Sequence, residues 1–388
     1  MKFKLLPLTV ALAAVLSPLT ASATDAPEDF VFSGYARYGF HYSDDVNHYI
    51  GAEGGLTNHG VGRLGNENNG GEFQLTKGFL GANDTIWSVA VMLEHYGENV
   101  GLKKFYARAT NVLDAQPNAT FWAGRDFHQR PQMGLSDYFW MTHDGQGAGV
   151  YNLELGTVKL DISGVAQAAG DTNDSGNYAI TSKLHDINLT DSMSLSFLAN
   201  YGFTSKHDST GTQLNTDTTA YQVAGVLDSK WSKGSNRFIV RYSDNADNSV
   251  FNKTEGQTAL YTALEGDVKL SDSLVVKYLG SYASMAEDMN EIDDRSAYSA
   301  IVRPMYSWNS VHSTWLEAGY SLVDYDNLSD QNTAWKMTLS QNISIDAFGA
   351  AAPMLRFYAT VGETDNQATS PDNKQDTLAL GAMFESWW

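Results

Sequence analysis

Between Phe121 and Gly149 the chain reads FWAGRDFHQRPQMGLSDYFWMTHDGQGAG, with Arg125, Asp126, Arg130 and Asp137 standing among Phe127, Tyr138, Phe139 and Trp140. Aromatic rings offer flat apolar faces, while a guanidinium and a carboxylate offer charge-assisted hydrogen bonds in a fixed geometry. Together they suit a ligand with apolar C–H faces and a rim of hydroxyls, the chemistry of a sugar ring. The segment starts as a strand, continues as a long loop and turns at GQGAG into the next strand. A loop this aromatic and charged is costly to leave in water and is expected to fold inward. His128 and His143 within it read as polar contacts of the loop. No GxSxG or HExxH motif is present, and the nine histidines stand beside no convincing Ser/Asp set, so no catalytic residue is assigned. Without cysteine there is no disulfide framework and no thiolate metal site, and neither metal nor other cofactor is expected.

The elements that must position such residues read at period two. The chain ends in GAMFESWW, where Leu378, Leu380, Ala382, Phe384 and Trp388 make one face and Met383, Glu385 and Trp387 the other. The first strand, FVFSGYARYGF, sets Phe32, Gly34, Ala36, Tyr38 and Phe40 against Ser33, Tyr35, Arg37 and His41. Further along, Phe238, Val240 and Tyr242 oppose Arg237 and Arg241, and Leu355, Phe357, Ala359 and Val361 oppose Arg356, Tyr358 and Thr360. Leu316, Ala318, Tyr320 and Leu322 oppose Trp315, Glu317 and Gly319. The links between strands are rich in Asp and Asn, and several are long, as in HDSTGTQLNTDTT and SDNADNSVFNKTEGQ.

Residues 1–23 carry two lysines, an apolar run from Leu5 to Val15 and Ala21-Ser22-Ala23, the pattern of a secretory signal with a cleavage site after Ala23. Its removal would leave 365 of the 388 residues, 24–388, at a charge of −22 rather than −20 because Lys2 and Lys4 leave with it. So acidic a chain without a basic cluster makes a poor nucleic-acid binder. Alternating strands of about ten residues, long polar loops and tyrosines near strand ends are the pattern of an outer-membrane β-barrel. A soluble sandwich or propeller would also alternate, although no repeat period stands out. In a membrane every backbone group must pair, so the sheet has to close. Trp388 is then expected at the lipid interface, sealing the last strand against the first, with Trp387 in the lumen beside Tyr35 and Arg37. Eighteen strands allot about 20 residues to each strand and link, sixteen about 23, and both fit known barrels.

On this reading the lumen holds Tyr35, Trp315, Tyr358 and Trp387 as rings, with Arg37, Arg303, Glu317, Arg356 and Glu385 as polar partners. Trp315, with Glu317 two residues along, is expected to be a stacking platform. The other readings of Trp315 are a girdle tryptophan on a bulged strand and a ring packed against the folded-in loop.

The motifs GYAR (Gly34–Arg37), RLGNE (Arg63–Glu67), FWAGRDFHQR, SDYFW with GQGAG, VRPMYSW (Val302–Trp308) and the terminal ESWW resemble the maltoporin family of carbohydrate-selective outer-membrane porins. The resemblance runs from first strand to last and implies a homotrimer of eighteen-stranded barrels in outer-membrane lipid, with loops, including the third, narrowing each pore. It implies a lumenal aromatic slide holding Tyr35 and Trp387, polar constriction residues at Arg37, Arg63, Arg130 and Asp137, and Phe139 where the family has a constriction tyrosine. There are departures. YGENVGLKK, after His95, lacks the tryptophan that the family sends into a neighbouring pore. The slide tyrosine after RLGNE is missing, with only Phe73 nearby, and Gln132 replaces a carboxylate. The function expected is facilitated diffusion of oligosaccharides, maltodextrin-like or another glucoside. The alternatives are a general diffusion porin and a barrel serving as surface receptor or adhesin.

Overall fold

The computed structural model describes residues 30–388 except 44–48, 58, 171, 289–293, 349–352 and 371–373, so the expected signal segment lies outside the described residues. The first strands are β1 (Phe30–Ser43), β2 (Gly70–Leu80), β3 (Ile86–His95), β4 (Gly101–Thr110), β5 (Thr120–Asp126) and β6 (Gly145–Leu155). Then follow β7 (Val158–Ala169), β8 (Asn173–Thr190), β9 (Met193–Thr204), β10 (Ala220–Trp231), β11 (Gly234–Asp244) and β12 (Gln257–Ser271). The last are β13 (Leu274–Glu287), β14 (Arg295–Ser307), β15 (His312–Tyr325), β16 (Gln331–Ser344), β17 (Met354–Asn366) and β18 (Lys374–Trp387).

Each strand pairs antiparallel with the next, and β1 pairs with both β2 and β18, which closes an 18-stranded barrel. The count is eighteen, not sixteen. Closure leaves no unpaired edge, the condition a sheet must meet where no water can bond to it. Apolar side chains coat the outside, among them Leu316, Tyr320, Phe357, Leu380 and Phe384, while Arg241, Lys336, Glu317 and Arg356 are buried inside. Exposed tryptophans 87, 231, 308 and 388 ring one end, and Tyr42, Tyr201, Tyr221, Tyr242 and Trp335 stand near the other. These are the two interfacial girdles of a membrane barrel. No helix of the described residues is long and apolar enough to cross a membrane.

The chain's last residue is held. Gly34 and Trp388 exchange backbone hydrogen bonds of 3.0 and 3.2 Å, and the indole lies 5.4 Å from Phe32 and 5.9 Å from Phe73, ring to ring. Phe73 is therefore on the outer face and does not stand in for the missing slide tyrosine. Arg125 also leaves the interior: it pairs across the sheet with exposed Phe105 and donates to the Gly170 carbonyl at 2.6 Å.

Candidate functional site

Two long loops at one end of the barrel fold into it. The third loop, 127–144, is tied down by its neighbours. Arg241 on β11 donates to the Trp140 carbonyl and, at 3.3 Å, to the Tyr138 hydroxyl, while Asn248 donates to the Phe139 carbonyl at 3.1 Å. His128 sits between the hydroxyls of Tyr151 (3.0 Å) and Thr181 (2.7 Å) and stacks on Trp122, and the His143 ring accepts from the Val250 N–H. Burial pushes His128 down to about 4 and His143 to about 3, so both are neutral anchors of the loop. Gly134 donates its N–H to the Glu265 carboxylate at 2.6 Å.

The first loop, between β1 and β2, folds in equally deeply and lines the β14–β17 wall. Lys336 donates to the carbonyls of Gly62 and, at 2.7 Å, Leu64, and Thr338 donates to Leu64 at 2.9 Å. Glu317 accepts the Leu64 N–H at 2.8 Å and pairs with Arg303. A buried carboxylate survives only where paired and hydrogen-bonded, and here its partners are two cations and the loop backbone. The two loops meet where the Arg63 N–H donates to the Leu135 carbonyl at 3.0 Å.

This corrects the reading of Trp315. Its ring faces inward as expected, but only 4 % of the residue is exposed. It packs with Leu64, Met305 and Met354, with the Arg303 and Arg356 guanidinium groups 5.8 and 5.7 Å from its centroid. A ring covered on this scale offers no face to a solute, so the first loop makes it a structural side chain.

Beside this sealed region an ion network lines the β1–β18 seam. Arg37 pairs with Asp137 at 3.0 Å, and Arg63 with Glu385 at 2.7 Å, with Asp137 at 3.9 Å and Glu67 at 3.8 Å. Arg356 bonds Glu67 at 2.6 Å and also Glu385, which accepts from the Tyr35 hydroxyl at 2.9 Å. The Asp137 backbone is left-handed at φ 53°, a conformation Asp tolerates better than most residues. Burial alone would raise its carboxyl, but Arg63 and Arg37 outweigh it and hold the group below its ordinary value. Gln132 donates to the Asp137 carbonyl at 3.3 Å and steadies that turn.

Arg37, Arg63 and Asp137 thus come together, and Arg130 does not join them. Its guanidinium lies 4.0 Å from the Phe127 ring centroid and 4.1 Å from that of Phe139, and pairs with Asp144 at 3.3 Å. The clamp is made within the third loop, where six residues, 131–136, separate Arg130 from Asp137. Nearby, Arg108 and Lys104 share Asp126. Phe139 is partly exposed, with Arg130 over its ring. Tyr35 and Trp387 are cross-strand partners and remain partly exposed. Tyr358 lies across Gly381 of β18, where an added Cβ would stand 2.2 Å from the ring, and its hydroxyl is 3.4 Å from His41.

Sequence reading missed two contributors. Glu67 was inside the RLGNE motif, four residues from Arg63, and that spacing was its available signal. Tyr96 lies over Gly70, the β2 partner of Arg37. The adjacent glycines Gly70-Gly71 opposite an inward arginine marked a bare patch of wall that something else would cover.

A family model described as LamB porin matches residues 30–388. Two maltoporins from Vibrio cholerae serotype O1, of the El Tor Inaba and Classical Ogawa strains, are each 27 % identical to this chain over 425 residues. The alignments cover 98 % of this chain and 99 and 98 % of theirs. Among solved structures, Pseudomonas aeruginosa OccD3 (OpdP) superposes with a TM-score of 0.52 at 12 % identity, covering 95 % of this chain and 93 % of its own. The Acinetobacter baumannii outer membrane channel DcaP gives 0.50 at 12 %, covering 92 and 97 %. These likenesses show the outer-membrane porin fold. By the match along its whole barrel, the chain belongs to the LamB porin family.

Proposed function

We propose that the barrel is an outer-membrane channel for facilitated diffusion of neutral oligosaccharides, maltodextrin-like or of another glucoside. The observation that carries the reading is the seam itself: partly exposed Tyr35 and Trp387 rings stand beside Arg37, Arg63, Asp137 and Glu385, within hydrogen-bonding reach of one another. Rings stack on the C–H face of a sugar, and the fixed guanidinium and carboxylate edges exchange hydrogen bonds with its hydroxyls. Tyr358 and Phe139 extend the aromatic surface, and Arg130 borders it from its clamp. The two halves of the stripe, at Trp387 and Gly381, are six residues apart on β18, about 20 Å along the strand. A stripe of that length suits an oligosaccharide better than a monosaccharide.

In the same reading residues 1–23 are an export signal removed after Ala23, 24–388 form the porin, and three copies assemble through their apolar outer walls. Single-channel recording with a panel of sugars tests the function. Concentration-dependent block by at least one oligosaccharide is expected. Free ion flow unaffected by every sugar would instead make this a general diffusion pore or a surface receptor. A monomer by light scattering in mild detergent would overturn the trimer.

A further inference from the structure

We propose that Tyr96, from the link between β3 and β4, is an additional sugar-stacking residue at the loop-side mouth of the constriction. The inference rests on the oligosaccharide reading above and adds to it a residue and a location. Gly70 and Arg37 are cross-strand partners on β2 and β1, so both present the same, lumenal face. A Cβ added to Gly70 would stand 2.1 Å from Cδ1 and 2.6 Å from Cγ of Tyr96. The ring therefore occupies the lumenal space that a Gly70 side chain would have filled, and only glycine leaves room for it.

Its setting is that of a platform rather than a core residue. The Arg37 guanidinium carbon lies 5.9 Å from the Tyr96 ring centroid and equally far from that of Tyr35. Tyr96 is 37 % exposed, against 4 % for the covered Trp315. Across the β1–β18 seam, on the side of β17, Tyr358 rests on Gly381 in the same manner. Two tyrosines, each laid on a glycine of the adjacent strand, thus flank the charged network. An inward ring that stacks against one side of a cation and leaves its remaining surface open can take the C–H face of a pyranose while Arg37 donates to that sugar's hydroxyls.

The test uses the full barrel in planar bilayers, with wild type, Tyr96→Ala, Tyr96→Phe, Gly70→Ala and the double variant Gly70→Ala/Tyr96→Ala. The probes are α-linked and β-linked gluco-oligosaccharides of increasing length, and heat-modifiable electrophoretic mobility reports folding. Tyr96→Ala is expected to raise the half-blocking sugar concentration about three- to tenfold. Tyr96→Phe, which keeps the ring, should stay within about twofold of wild type. Gly70→Ala should weaken block at least as far as Tyr96→Ala, because its methyl displaces the ring and also meets the His95 carbonyl oxygen at 2.6 Å, and the double variant should be no worse than Gly70→Ala alone. Block of Tyr96→Ala at the wild-type concentration overturns the platform, as does a Tyr96→Phe defect equal to that of Tyr96→Ala or wild-type block in folded Gly70→Ala. If Gly70→Ala does not fold, the alanine and phenylalanine variants of Tyr96 decide. Wild type left unblocked by every sugar overturns the oligosaccharide reading itself, a result separable from loss of this one platform.

Discussion

On β14–β16, Trp315, Arg303, Glu317 and Lys336 face the lumen, as do Trp387, Tyr35, Arg37 and Glu385 on β18 and β1. The two stretches share residue chemistry: an aromatic ring, arginine and glutamate at inward positions. They differ in what lies over them. The first is roofed by residues 61–65, whose backbone takes the hydrogen bonds of Lys336 and Glu317. At the second, the loops contribute mostly side chains, Arg63, Glu67 and Asp137, besides the Asn68 carbonyl that accepts from Arg37 at 2.8 Å, and the rings of Tyr35 and Trp387 keep part of their surface free. An inward ring is therefore an anchor where loop backbone covers it and keeps a free face where mainly side chains approach.

Breaking the sealed region should have the largest effect. Glu317→Gln leaves Arg303 and Lys336 facing each other without their shared carboxylate, and removing one partner of a buried pair costs about 3–5 kcal/mol. Trp315→Ala opens a cavity among Leu64, Met305 and Met354 and should cost about 3–5 kcal/mol. Both variants should lower the temperature at which the heat-modifiable band unfolds. Sugar block by the Trp315→Ala barrels that do fold should stay close to wild type. A variant of normal stability with lost block would make Trp315 part of the binding surface after all.

At the open seam the sign reverses, with binding affected more than folding. Arg63→Ala removes a donor shared by Glu385 and Asp137 and should weaken sugar block by about 1–3 kcal/mol while shifting ion selectivity toward cations. Changed selectivity with unchanged block would reduce Arg63 to an electrostatic wall residue.

The terminal pair sharpens the contrast within two adjacent positions. Trp387→Ala should weaken block by about 1 kcal/mol at normal folded yield. Trp388→Ala should lower folded yield, because its ring contacts Phe32 and Phe73 at the closing seam, and leave block unchanged in the barrels that form. The opposite pairing of outcomes would exchange the facing of the two rings.

The smallest effect is expected at Arg130. Its two faces are covered by Phe127 and Phe139 and its charge is met by Asp144, so only the guanidinium edge is free. Arg130→Ala should change sugar block by less than about 1 kcal/mol, measured in the same recordings. A loss as large as that of Arg63→Ala would move Arg130 into the constriction.

The barrel was legible because alternation is a local property. A lipid-facing position must be apolar whatever its partner is, so Leu355, Phe357 and Val361 declare their face, and with it Arg356 and Tyr358 opposite. The closing role of Trp388 and the inward turn of Tyr35, Arg37 and Trp387 followed from the same rule. The carried-over positions Arg37, Arg63 and Asp137 do meet, whereas Arg130 pairs with Asp144 apart from them, and Trp315 kept its predicted inward facing and lost its expected exposure.

What the sequence by itself determined is therefore which side of the wall each strand residue faces, together with the family and the inward course of an aromatic, charged third loop. What only the tertiary structure decided is coverage. Whether an inward ring is open depends on where loops of distant sequence come to rest, as residues 61–65 do on Trp315. Those contacts join positions more than 250 residues apart, Leu64 with Glu317 and Gly62 with Lys336, and are fixed by backbone hydrogen bonds to buried charges rather than by any local periodicity.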